Sequence, residues 1–175
     1  MADRYPKEDP LVLALEGDMD ALEEVVGSLS APTFDLAVHL FGASAEGPAT
    51  EALEHLARTI QNGPPLPAPD PLAIPARFLL DRAPHPPPSG SAFADLRKLD
   101  RAVLLLALAL DLEGPSLAFA LEMEEAQASH HLAQVLLTVA SEDDARDRLD
   151  EVASRYPLPR GMVDRALENA ASEGD

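Results

Sequence analysis

The sequence predicts an all-α protein, and three observations support this fold class. Apolar residues recur at spacings of three and four along most of the 175-residue chain, as in amphipathic helices. Hydrophobic residues make up 46% of the sequence and aromatic residues only 4%, so leucine, alanine and valine must form the core. Glycine, proline, serine and aspartate stand between the periodic segments, where helices begin and end. We expect about eight or nine helices in antiparallel hairpins, packed as an irregular multi-helix bundle.

The N-terminal third of the chain predicts three helices. Asp9 followed by a proline is typical of a helix N-terminus, and Gly17 is a typical stop, so a short helix is predicted over 11–16. Asp18 provides the cap for a second helix with one apolar stripe. The stripe comprises Leu22, Val25, Val26 and Leu29. A third helix is predicted over 30–41, opened by a serine or threonine and closed by a glycine.

A fourth helix is predicted over 47–62, and the composition then changes. Ten prolines fall between positions 64 and 88. Proline removes a backbone donor and clashes with a preceding helical turn, so 64–71 and 84–88 are predicted to be extended and partly exposed. A short helix is predicted between them, over 76–82. The chain is thereby divided into an N-terminal helical part, a Pro-rich crossover and a C-terminal helical part, packed as one domain: 1–63, 64–90 and 91–175.

The C-terminal part predicts five more helices. Ser91 is assigned as the cap of a helix that runs to Leu112. A glycine and a proline at 114–115 end that helix and open the next. Ser129 is assigned as the cap of a helix over 130–140, and Ser141 as the cap of a helix that ends before a proline at 157. The last helix is predicted over 163–170.

The most apolar run in the sequence lies between Ala102 and Leu110. It is predicted to be the most buried helix of the fold. An aspartate follows it directly, and the run is well short of the ~20 apolar residues that a transmembrane helix requires. No membrane interaction is therefore expected.

Two predicted hairpin turns have similar short sequences. The segment Leu110-Asp111-Leu112-Glu113-Gly114 echoes Leu13-Ala14-Leu15-Glu16-Gly17. Over about thirty residues, the second hairpin with its alanine-rich partner helix resembles tetratricopeptide-repeat hairpins in packing style. The aromatic signature positions of that repeat are missing. The resemblance therefore implies paired antiparallel helices and a tight turn, rather than membership of the family.

Charge and composition restrict the partners that we expect. The chain has 31 acidic and 13 basic residues, a formal net charge of −18, and no cysteine. Such a chain repels nucleic acid and anionic membranes, and it cannot form disulfides or zinc-thiolate sites. The first nine residues carry no apolar signal-peptide core, so a soluble, cytoplasmic protein is expected. Another protein is the expected partner, and a homo-oligomer is left open.

Four residues are the best candidates for metal ligands, although their spacing is poor. They are Glu122, Glu125, His130 and His131. Adjacent histidines on a helix point about 100° apart, and no Glu-x-x-His or His-x-x-x-His pair of the di-metal type occurs. We therefore predict no metal and no cofactor. A small metal-dependent helical enzyme that uses either histidine with a nearby glutamate stays as the alternative.

The proline segments are the candidate protein-binding elements. The first fits the P-x-x-P pattern, and the second is a compact proline run. Their candidate residues are Pro64, Pro65, Leu66, Pro67, Pro86, Pro87 and Pro88. The alternative is that both segments are rigid spacers over the helical body.

The sequence favours a non-enzymatic protein-protein interaction or adaptor protein. No nucleophile elbow, phosphate-binding loop or cysteine nucleophile occurs in the chain. Paired carboxylates are frequent, but they lie in polar stretches that do not raise a carboxyl pKa. Besides the metal-dependent enzyme, a second alternative is an acidic inhibitor that mimics nucleic acid.

Overall fold

A computed structural model of the protein describes residues 9–172, and all the regular secondary structure over that range is helical, which confirms the all-α prediction. Residues 1–8, which make up most of the segment on which the expectation about a signal peptide rests, and residues 173–175 lie outside it. Nine α-helices occupy the described part of the chain: α1 Pro10–Leu15, α2 Met19–Phe41, α3 Glu46–Gln61, α4 Ala73–Arg82, α5 Lys98–Leu104, α6 Gly114–Leu121, α7 Glu125–Leu136, α8 Glu142–Ala153 and α9 Met162–Ser172.

Helix α2 is one continuous helix of 23 residues, where the sequence predicted two. The predicted break lies near Pro32, which has no N–H to donate to the carbonyl four residues earlier. The helix nevertheless continues because Thr33, Phe34 and Leu36 are all buried on the far side of the proline. Packing on both sides thus outweighs the ~3 kcal/mol that an interior proline costs.

Three predicted helix caps are confirmed. The Asp9 carboxylate accepts the amide of Leu11 at 3.0 Å. The Asp18 carboxylate accepts two amides of the first turn of α2, both at 3.0 Å. The Ser141 hydroxyl accepts the amide of Asp144 at 3.3 Å. Each cap satisfies donors that have no partner within the helix.

Two predicted caps are wrong. The Ser91 hydroxyl donates backwards to the carbonyl of Pro88 at 2.6 Å, turns follow over 92–96, and α5 begins only at Lys98. Ser129 lies inside α7, which already begins at Glu125. A serine supplies an N-cap only where the following backbone is helical, and here tertiary contacts place the helix starts elsewhere.

The apolar run from 102 to 110 is buried, as predicted, although it is not a regular α-helix throughout. Leu104, Leu105 and Leu106 have no exposed surface. The chain passes from α5 into a π-helical segment, Leu105–Ala109. The amide of Leu112 then donates to the carbonyl of Leu106 at 3.0 Å and closes this segment. The helical backbone thus ends at Ala109, before the predicted end at Leu112.

Buried residues from all the longer helices form one hydrophobic cluster. Helix α3 lies between α2, α4 and α9, so the last helix of the chain packs against the N-terminal part. Helix α6 packs against α4 and α7, and α5 packs against α7. Helix α8 packs against α2 and the π-helical segment. Alanines at the contact faces, such as Ala49, Ala52 and Ala57 of α3, are fully buried and allow close approach of the helices.

One segment of the described chain, Met19–Ser44, is long and apolar enough to span a membrane by length and composition alone. In this structure 56% of its most apolar window is buried inside the protein. The core helix of a globular protein satisfies the same criteria, and this segment contains α2.

Replacing Leu105 tests whether this part of the chain is core. Leu105→Ala removes a side chain with no exposed surface, and we expect it to lower the free energy of unfolding by about 2–5 kcal/mol. Leu137→Ala is the matched control, because Leu137 is 87% exposed and its removal leaves no cavity. Urea denaturation of both variants measures the difference. Equal stabilities would show that the 102–110 run is peripheral.

Candidate binding site

A cleft opens where four separated parts of the chain meet. The last turn of α4 and the segment that follows it form one wall, and the start of α5 with the preceding residues forms another. The end of α6 and one residue of α2 complete the lining. The cleft has a volume of about 380 Å³. This lies within the usual range of ligand pockets, about 300–1,000 Å³.

Apolar side chains form most of this cleft, with charged groups among them. The apolar lining residues are Leu40, Leu80, Ala83, Pro84, Pro87, Leu96, Leu99, Ala102, Ala120 and Leu121. The charged and titratable ones are Asp81, His85, Lys98, Arg101 and Glu122. An apolar cavity that contains a few positively and negatively charged groups is suited to binding an amphipathic ligand.

Arg101 is the unusual residue of the cleft, because it is a buried cation. Its relative exposure is 6%. Its Nε donates to the carbonyl of Ala92 at 2.9 Å, and its Nη2 donates to the carbonyl of His39 at 2.5 Å. The guanidinium thus joins the turn before α5 to the last turns of α2, two segments that are far apart in the sequence.

No carboxylate within residues 9–172 forms an ion pair with Arg101, so its charge is balanced only by carbonyl dipoles. Burial lowers the pKa of its guanidinium from the usual value. Buried charges in proteins are normally paired, because removing an ion from water is costly. A buried, uncompensated cation in a chain with 31 acidic residues therefore calls for an explanation.

His39 lies beside Arg101 and is neutral at neutral pH. Its side chain is 1% exposed, and its Nδ1 has no hydrogen-bond partner in the described structure. Burial, and then the charge of Arg101, lower its pKa to about 4. The wall behind the cleft thus holds one fixed positive charge and one neutral imidazole.

Of the two candidate proline segments, the second contributes to the lining of the cleft and the first does not. Pro87 lines the cleft, Pro86 beside it is exposed, and Pro88 is half-buried. In the first segment, Pro64, Pro65 and Pro67 are exposed and Leu66 is half-buried against the core; none of these four lines the cleft. Both segments are non-helical as predicted, but bends interrupt them, so they turn across the surface and do not run straight.

The first proline segment is held to the protein at its far end. The amide of Asp70 donates to the Ser116 hydroxyl of α6 at 2.9 Å. Ser116 is buried, and so is Ala68. The predicted partial exposure of 64–71 thus takes the form of exposed prolines at 64, 65 and 67 and an end attached at Ala68 and Asp70.

The four candidate metal ligands do not converge. Glu122 forms an ion pair with Arg77, and Glu125 is exposed in the first turn of α7. His130 is exposed, whereas the Nε2 of His131 lies 2.7 Å from a carboxylate oxygen of Asp100. Among residues 9–172, no three histidine, aspartate or glutamate side chains are placed to hold a metal ion together.

Asp100 is held as a carboxylate by its neighbours. The Arg97 guanidinium donates to it at 2.8 Å, and His131 contacts it from α7. The hydrogen bond from Arg97, with a smaller contribution from His131, lowers the pKa of the Asp100 carboxyl. This pair joins α5 to α7, and the geometry gives His131 a structural role there.

The sequence contained a signal for Arg101 that composition alone does not show. Arg101, Leu104, Leu105 and Leu108 stand at helical spacing on one face, and all four are buried. The sequence pattern thus places a cation on the apolar face of its helix. The other walls of the cleft come from positions 40, 80–87 and 120–122, and no local pattern relates these to Arg101.

No protein-family model, curated protein or solved structure matches this chain. The fold and the cleft are therefore the observations on which a function can be argued.

Amide exchange tests how the first proline segment is attached. We expect the Leu66 amide to exchange fast, whereas the Asp70 amide is slowed by its bond to Ser116. Ser116→Ala removes the acceptor, so exchange at Asp70 should accelerate while exchange at Leu66 and in the Leu104 core stays unchanged. Hydrogen-exchange NMR measures all three. Equal rates at Asp70 in both proteins would contradict the contact.

The pH dependence of stability tests the burial of His39. Between pH 6.5 and pH 4 the unfolded imidazole binds a proton that the folded one does not, so stability falls as the pH is lowered through this window. Over this pH window, the free energy of unfolding of the parent should fall by about 3 kcal/mol more than that of His39→Leu. The carboxylates titrate in both proteins and cancel in the comparison. Urea titrations from pH 8 to pH 4 measure it, and parallel profiles throughout would contradict a buried neutral imidazole.

Proposed function

We propose that this protein is a non-enzymatic binding protein that docks a short segment of another protein. The observation that carries the proposal is the cleft of about 380 Å³, with the second proline segment as one of its walls. Its lining is mostly apolar and its charged groups are few, which suits binding better than chemistry. A cavity of this size accommodates a few side chains, so the partner contributes a segment and not a whole face.

The charge of the chain supports a basic partner. Of the 13 basic residues, many are already engaged within the protein. Examples are Arg146, which bonds Asp111, and Arg165, which bonds Glu46. Most acidic side chains are exposed, as in the first turn of α8. A surface of this kind accelerates the approach of a positively charged protein and disfavours nucleic acid.

The two alternative functions, a metal-dependent enzyme and a mimic of nucleic acid, each make a different demand on the structure. The metal-dependent enzyme requires its histidines and glutamates to meet, and they are engaged elsewhere or exposed. The nucleic-acid mimic would bind through its carboxylates, and the apolar cleft would then be irrelevant to binding. A second copy of this chain is the remaining occupant that the experiment must identify.

A photo-crosslinker in the cleft wall tests the proposal. Pro86 is exposed beside the lining residues, so p-benzoylphenylalanine at this position should form an adduct with the docked partner. The same group in place of the exposed Glu168 on α9 is the positional control. The measurement is crosslinking in lysate of the encoding organism, with and without nuclease.

We expect an adduct from position 86 only, lost with Leu99→Asp in the cleft and kept with Leu158→Asp. These leucines are 40% and 46% exposed, so neither substitution buries a charge. Adducts that survive Leu99→Asp, or that vanish with nuclease, would contradict docking in the cleft. An adduct of twice the mass of the chain would identify a second copy as the occupant.

A further inference from the structure

We propose that the cleft recognises the carboxyl terminus of the partner's polypeptide, with Arg101 binding the terminal carboxylate and the apolar walls receiving the last side chain. This inference rests on the proposed function, since it names the part of the partner that occupies the same cleft. It explains why a buried cation without a counter-ion stands in the wall of an apolar cavity.

The hydrogen bonds of Arg101 leave donors for such a ligand. A guanidinium has five N–H donors in a planar arrangement. Two are used, one on Nε and one on Nη2, and both acceptors are backbone carbonyls. The Nη1 atom has no acceptor within residues 9–172, and it is not among the fully buried polar atoms without a partner. The edge formed by Nη1 and Nη2 therefore retains three donors, which suit a carboxylate held by two parallel bonds.

The charges around the cleft favour a single negative charge over a phosphate. Lys98 adds a second cation, at an exposed position one helical turn before Arg101. Asp81 and Glu122 line the same cleft and oppose further negative charge, although the charge of Glu122 is partly compensated by its ion pair with Arg77. A monoanion matches the one buried cation, whereas a dianion would meet these two carboxylates and the net charge of −18.

A chain terminus fits this arrangement better than an acidic side chain does. In a terminal residue the carboxylate and the apolar side chain share one Cα, so both reach the wall together. Leu40, Ala102 and Leu121 line the cleft with Arg101 and offer the apolar surface that such a side chain requires. An internal glutamate would instead bring its backbone amides against these apolar walls, where they lack partners.

The mouth of the cleft predicts the residues that precede the terminus. Asp81 is exposed there, and no basic residue of the described chain is paired with it. Lysine or arginine upstream of an apolar last residue would complement this carboxylate and the acidic surface. The ligand is therefore a basic segment that ends in an apolar residue with a free carboxylate.

Paired peptide libraries test this inference on the full chain. The probes are fluorescein-labelled octapeptides with four random C-terminal positions, made once as free acids and once as amides. Peptides that the immobilised protein selects are resynthesised in both forms, and their affinities are measured by fluorescence anisotropy. We expect selected acids to end in an apolar residue, and amidation to weaken binding about 10- to 100-fold, as for loss of a charge-assisted bond.

The outcomes separate this inference from the proposed function. Equal binding of acids and amides would overturn carboxylate recognition and leave segment docking intact. Failure of both libraries to yield a binder would overturn both. Octanoate is the small-molecule probe. If octanoate binds and no peptide does, both the inference and the proposed function are overturned, because the site would then serve a free acid.

Variants assign the effect to the residues of the cleft. Arg101→Lys keeps the charge but loses the planar pair of N–H donors that can hold both carboxylate oxygens. We therefore expect at least about tenfold weaker binding of the acid, with little change for the amide. Leu99→Asp should abolish binding of the acid. Leu158→Asp should not change it, because Leu158 is similarly exposed but does not line the cleft. Circular dichroism checks each fold. If Arg101→Lys unfolds, because Arg101 also holds the turn before α5, Leu99→Asp decides the assignment. Full affinity in Leu99→Asp would overturn it.

Discussion

The enclosure of α2 is the constraint on which the remaining structure depends. This helix has buried residues along its whole length, and a helix that is apolar on most sides must be surrounded by others. It contacts α1, α3, α4, α8, α9 and the π-helical segment, so most of the other elements pack directly against it. Pro32 is tolerated for the same reason, since a break there would expose the buried Phe34, Leu36 and Val38 that follow it. The position of α2 also brings Leu40 to the cleft wall and the carbonyl of His39 to Arg101.

Features that depend on neighbouring residues alone could be predicted from the sequence. The caps at Asp9, Asp18 and Ser141 are examples, because each bonds an amide no more than three residues away. The helical period identified the fold class for the same local reason. Ser91 and Ser129 have equally suitable side chains, and the prediction failed there because tertiary contacts set the starts of α5 and α7. Helix boundaries of this kind are decided by what the next turn packs against.

The cleft could not be predicted, because its walls are distant in sequence. Leu40, Leu80, Lys98 and Leu121 come from four separate parts of the chain and meet only after folding. The sequence did indicate Pro87 as a binding residue, but it assigned no role to Arg101. It missed that this arginine faces inwards, although its register with Leu104, Leu105 and Leu108 carried that information. Composition treats every arginine as a surface cation, and only the helical register with these leucines places Arg101 on an apolar face.

Irregular backbone lies on both sides of Arg101 in the sequence. Turns over 92–96 precede α5, Phe93 has a φ of 57°, and the π-helical segment follows directly. Glu122, at the opposite wall, has a φ of 54°. Departures from local preference in folded proteins gather at functional sites, where packing maintains a geometry that the sequence alone would not choose. The desolvation of Arg101 is of the same kind, since the free protein keeps a cation out of water with only carbonyls to balance it. A bound carboxylate would offset that cost, so ligand binding and the stability of this region are thermodynamically linked.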